Sequence, residues 1–224
     1  VHIDEHGHIC VTPAEVQSLA SQSRARLIHS ILVPGTPMAF PLYDGYHQFL
    51  EHFADRCGIH PNTMFLKGST KIGFTIKPKP DRVWMKYGDA SDLDLTIVDS
   101  RLFETIESEV GIWERDDSNR RNMFKNPRLR NDQRNRANNK GWFRCFRFFD
   151  LPPLSCMHKL DEAMKSAPVK ACCQIDRPRK AFVFRDWWGV YERYEYDLHQ
   201  LTKGIQSGSL MHAPAEPRQY QEEL

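Results

Sequence analysis

The chain has 224 residues, 40% of them hydrophobic and 27% charged, with a formal net charge of +2. That length allows one large domain or two small ones with a real core, and the composition excludes a disordered or fibrous chain. Near-neutral charge gives no global case for a nucleic-acid or membrane partner, and no stretch approaches the roughly 20 apolar residues of a membrane span.

From the N-terminus, VHIDEHGHICV alternates apolar and polar residues around His6-Gly7, the pattern of a tight hairpin. His2, His6, His8 and Cys10 also offer metal ligands there, but no second ligand cluster at metal spacing follows. Thr12-Pro13-Ala14-Glu15 predicts a helix start, with Thr as cap, Pro at the first helical position and Glu at the third. Val16, Leu19, Ala20, Leu27, Ile28 and Ile31 predict one continuous helix ending before Pro34. A second helix is predicted over 43–57, where Tyr46, Phe49, Leu50 and Phe53 share a face and Gly58 terminates.

A short strand from Thr63 to Leu66 leads into Lys67-Gly68-Ser69, and 77–90, with two prolines, reads as an inserted loop. A strand over 93–98 precedes a helix near 100–113, with Leu102, Phe103, Ile106 and Val110 as its inner face. Between Arg120 and Lys140 stand eight basic residues, one acid and six asparagines. Such a segment is either a solvated loop or a phosphate-contacting one, with Trp142 and Phe143 nearby to stack on bases. WFRCFRFFD and KAFVFRD predict two more strands. WWGVYERYEYDLHQLTKGI predicts a final helix whose Trp187, Trp188, Tyr191 and Tyr194 are expected in its core face. The organisation expected is a hairpin and helix over 1–34, a main domain over 35–200 with a basic loop at 116–140, and a polar tail over 201–224. The six cysteines form no C-x-x-C pair, and adjacent Cys172 and Cys173 suit no ordinary disulfide. Reduced thiols in a cytoplasmic protein are expected.

The chemistry is concentrated at GDASDLDL, residues 88–95. In an extended strand alternate side chains share a face, so Asp92 and Asp94 point one way and Leu93 and Leu95 the other. Two carboxylates so close repel one another unless a cation sits between them. Upstream, FLKGSTKIG ends a strand at Gly68, where backbone can approach a ligand closely, while Ser69 and Lys71 would add a hydrogen bond and charge for phosphate.

Gly68-Ser69-Thr70-Lys71-Ile72-Gly73 followed by Ser91-Asp92-Leu93-Asp94-Leu95 resembles the signature of the DNA polymerase β-like nucleotidyltransferase superfamily. The resemblance covers about residues 43–113, and the 17 residues between Gly73 and Ser91 form a longer gap than the pattern usually has. It implies an α/β (or α+β) fold with a mixed sheet of four or five strands. N-terminal helices would pack on one face, and a C-terminal helical element would complete the cleft. It also implies that Gly68 and Ser69 hold a nucleoside triphosphate and that Asp92 and Asp94 hold magnesium or manganese for attack of a hydroxyl on the α-phosphate. A third carboxylate is expected from a later strand, Asp150 being favoured over Asp186, which also suits a helix cap. The expected activity is nucleotidyl transfer to a protein, RNA or small-molecule hydroxyl, with an operon-encoded protein as a further candidate partner. The alternative is a catalytically silent module of the same fold that binds nucleotide, nucleic acid or a partner protein.

Overall fold

The computed structural model describes residues 1–88, 91–119, 121, 141–145, 155–167 and 178–218. Asp150, Cys172 and Cys173 lie outside them, as does the basic stretch 120–140 apart from Arg121. The chain begins with a two-stranded antiparallel ribbon, β1 (His2–Ile3) and β2 (Ile9–Cys10). The helices α1 (Pro13–Gln22) and α2 (Arg24–Leu27), a π turn over Ile28–Leu32, and α3 (Tyr43–Cys57) follow. Next come β3 (Met64–Lys67), the single-turn α4 (Ser69–Ile72), β4 (Leu93–Val98) and α5 (Ser100–Arg115). The chain continues through β5 (Trp142–Arg144), α6 (Ser155–Ser166), β6 (Pro178–Phe184) and α7 (Trp187–Gln206).

The protein is mixed α/β. Its main sheet has the order β3-β4-β6-β5, with β4 and β6 parallel and both outer pairings antiparallel. All six residues of β4 are buried because helices cover both faces of the sheet. On one face Leu66, Leu93, Leu95, Ile97, Ala181 and Val183 pack against α3, α5 and α6. On the other, Phe65, Val98, Trp142 and Phe184 pack against α1, α2 and α7. The N-terminal helices are therefore divided between the faces, and α7 covers the face opposite α3.

Local signals act where the sequence places them. Thr12 and Glu15 form a reciprocal capping box at the start of α1. Gly58 closes α3 with φ of 67°, a left-handed conformation that suits a residue without Cβ. The continuous helix predicted up to Pro34 is instead interrupted at Ser23. That residue is extended (φ −158°, ψ 95°) and its hydroxyl accepts from the Arg26 N–H, so it caps a new helix instead of continuing the old one. The Trp187-Trp188 expectation is also corrected. Trp188 is 72% exposed, and Trp187, partly exposed, stacks on Phe65 at 5.6 Å; the inner face of α7 is made by Val190, Tyr194, Leu198 and Leu201.

In the N-terminal ribbon, His8 is buried and both ring nitrogens are engaged, Nδ1 at 2.8 Å from Asp4 and Nε2 at 2.7 Å from the Phe40 carbonyl. These contacts give the ribbon a structural histidine, and no cluster of three potential metal ligands occurs among the described residues.

Candidate functional site

A cavity of about 910 Å³ opens between the α7-facing side of the sheet and α7 itself, toward the upper end of the range for small-molecule sites. Strand alternation decides which side chains reach it. Antiparallel pairing sets Lys67 of β3 opposite Asp94 of β4, and parallel pairing sets Lys180 of β6 on the other flank of Asp94. Two residues along, Thr96 lies beside Phe182. All five line the cavity, while Leu93 and Leu95 enter the opposite core. The segregation expected of Asp94 and its leucine neighbours is therefore the one the fold uses.

Gly68 follows β3 directly and lines the same cavity. Its φ of 83° and ψ of −155° fall in a region nearly reserved for glycine. A Cβ placed there would stand 3.5 Å from Asp94 Oδ2, so the turn and the acidic strand face each other across a narrow gap. Ser69 opens the single turn of α4 and is half-buried, outside the cavity wall. Lys71 has its Nζ directed at the carbonyl oxygens of Pro34 and Gly35, tying α4 to the segment that follows the π turn. Burial lowers its ammonium to about 7.

Asp92 and Asp94 share one ammonium. Lys180 Nζ donates to Asp92 Oδ2 and lies 3.7 Å from Asp94 Oδ1, and Lys77 Nζ lies 3.9 Å from Asp94 Oδ2. Asp94 is 5% exposed, and its Oδ1 has no hydrogen-bond partner among the described residues. The buried Thr96 Oγ1 and Tyr194 hydroxyl are in the same condition, and both residues line the cavity. Three buried polar atoms with no hydrogen-bond partner among the described residues are costly in a closed protein interior, and here they belong to residues around one hollow.

The wall is cationic. Lys67 and Lys180 line it from the sheet, Lys71 from α4, Lys77 and Lys79 from the loop after α4, Arg144 from β5, and Arg193 and Lys203 from α7. Among the described residues only two acids, Asp94 and Asp197, line it with them. Lys67 sits with its Nζ 3.5 Å from the centre of the Phe182 ring, and burial pulls its ammonium down to about 8 against the opposing pull of Asp94. Asp197 pairs with Arg193 at 2.9 Å; burial raises its carboxyl, while Arg193 and Lys67 oppose the rise. An eight-to-two excess of basic groups around an apolar floor is the electrostatic form of a site for a polyanion.

Of the later acids, Asp186 caps α7 by accepting from the Gly189 N–H. It follows Phe184, which pairs with Val98 at the end of β4 remote from Asp94. The position flanking Asp94 on the neighbouring strand belongs to Lys180, a residue that sequence reasoning passed over, along with Lys67, Arg193 and Asp197. Only the alternation in KAFVF could have marked Lys180 as facing the side opposite Ala181, and it says nothing of which strand lies alongside. No protein-family model, no curated protein and no solved structure matches this chain.

Proposed function

We propose that the cleft between the sheet and α7 binds a nucleoside triphosphate with magnesium or manganese, and that the protein transfers the nucleotidyl group to a hydroxyl acceptor. The observation that supports this reading is that Gly68 and Asp94 line one cationic cavity, so close that a Cβ added to Gly68 would stand 3.5 Å from Asp94 Oδ2. The finer assignment to a polymerase β-like fold belongs to the same proposal, and rests on the glycine-serine turn followed by the two strand aspartates.

The donor set suits a hard cation. Asp94 Oδ1 is buried and lacks a hydrogen-bond partner among the described residues, Asp92 reaches the same ammonium, and magnesium favours one or two carboxylates plus phosphate oxygens and water. Asp92 and Asp94 would hold the ion, which would supply charge neutralisation of the triphosphate and lower the pKa of the acceptor hydroxyl. Gly68 leaves the backbone open to phosphate, and Lys67, Lys77 and Lys180 offer positive charge around it. Ser69 lies outside the cavity wall and takes no phosphate contact in this reading, and Lys71 holds the turn that shapes the cavity edge. Asp150 is retained as the third ligand or base.

Nucleotide binding by calorimetry tests the reading. Asp92→Asn/Asp94→Asn is expected to abolish metal-dependent NTP binding while the fold survives, and equal affinity in wild type and the double variant would refute it. Transfer is read with radiolabelled NTP against protein, RNA and small-hydroxyl acceptors.

A second reading is favoured by Lys180, a cation that already bridges the acidic pair. Under it the protein is a catalytically silent module that binds a polyphosphate. Tight NTP binding with no label transferred to any acceptor class would select it.

A further inference from the structure

We infer that Lys180 is a built-in counter-ion of the acidic pair that withholds the site from a divalent metal until nucleotide arrives. The inference rests on the nucleotide–metal reading above. Its physical basis is the charge balance among the side chains around the acidic pair. Asp92 and Asp94 bring two negative charges, and Lys180 and Lys77 place two ammonium groups within 4 Å of them. These four side chains cancel one another's charge.

A divalent cation entering that cluster meets two ammonium groups beside the carboxylates it needs. At such separations like charges repel strongly in a partly buried site, so metal alone must displace Lys180. A polyphosphate changes the balance. It gives the ammonium a new anionic partner, and the four-carbon lysine stem can swing without backbone movement. Lys180 lines the cavity and its side chain is 29% exposed, so it has space to move into. Metal and nucleotide then bind cooperatively, because each removes the obstacle to the other. Lys180 acts as a positioning residue, and the same stem that shields Asp94 would carry its charge onto the phosphates.

Lys77 is the natural comparison. It lies 3.9 Å from Asp94, but its side chain is 57% exposed, so solvent screens its charge. The position on β6 is what singles out Lys180, since parallel pairing fixes it beside Asp94.

The test is Mn²⁺ binding to the nucleotide-free protein, followed by the electron paramagnetic resonance of free manganese. Lys180→Met is expected to bind Mn²⁺ at least tenfold more tightly than wild type, Lys180→Arg to match wild type, and Lys77→Met to change affinity much less. A non-hydrolysable NTP should tighten Mn²⁺ binding strongly in wild type and weakly in Lys180→Met. If Lys180→Met fails to fold by circular dichroism, Lys180→Gln carries the same expectation. Mn²⁺ affinity unchanged by removing the Lys180 charge would overturn the gate, even where Asp92→Asn/Asp94→Asn still abolishes metal–nucleotide binding. If that double variant binds metal–nucleotide as wild type does, the underlying reading falls, and the gate with it.

Discussion

Lys71→Met should remove a pH dependence of stability that the wild-type protein carries between pH 7 and pH 9. Lys71 is 3% exposed, and burial lowers its ammonium from the ordinary 10.5 to about 7 in the folded state. Across that interval the unfolded chain keeps the proton while the folded chain gives it up. Stability therefore rises with pH, because the unfolded state binds more protons. The slope approaches about 1.4 kcal/mol per pH unit once the folded amine is neutral. Integrated from pH 7 to 9, the gain is about 2 kcal/mol. The neutral amine still has two N–H groups for the carbonyls of Pro34 and Gly35, so the contact survives deprotonation. Methionine removes the titration and also both hydrogen bonds, so the absolute stability of the variant decides nothing. The difference in pH slope does. Urea unfolding at pH 7, 8 and 9 on both proteins measures it. Lys67, lowered to about 8, and the thiols of Cys57, Cys145 and Cys156, raised by burial above their unfolded value, also add pH dependence but cancel because both proteins contain them. Parallel stability–pH curves for wild type and Lys71→Met would refute the reasoning.

Other outcomes follow from the same geometry. Gly68→Val should cost about 1–3 kcal/mol of stability from its backbone conformation alone and eliminate NTP binding; a folded variant with wild-type affinity would remove Gly68 from the site. Tyr194→Phe deletes a buried hydroxyl with no hydrogen-bond partner among the described residues, so the midpoint of thermal unfolding should stay level or rise, and a loss above about 1 kcal/mol would contradict that burial. Phe49→Ala, at a fully buried ring packed between Phe40 and Phe53, should cost about 3–5 kcal/mol. Trp188→Ala should stay within about 0.5 kcal/mol by the same denaturation assay, because the side chain is largely in solvent.

Features that depend on neighbours along the chain are legible in the residue order alone. The capping box at Thr12 and Glu15, the apolar stripe of α3 ending at Gly58, and the six residues of β4 were all legible, because caps and periodicities act within a few residues. So was the separation of Asp94 from Leu93 and Leu95, which alternation alone dictates. Tertiary structure decided what those faces meet. Lys180 lies 86 positions after Asp94, and only the parallel pairing of β4 with β6 makes it a neighbour of the acidic pair. Lys71 looks like a phosphate-binding lysine in GSTKIG, yet the fold turns its Nζ to the carbonyls of a segment more than thirty residues earlier. Ser23 falls inside a stretch whose apolar residues on either side, Ala20 and Leu27, read as one helix, but the fold uses it to cap a second helix. The aromatic run at the start of α7 has helical spacing, but which ring is buried depends on where β3 and β6 end, and that leaves Trp188 outside. Periodicity reports that a face is apolar or charged; the identity of the opposing surface is a long-range property that no local pattern encodes.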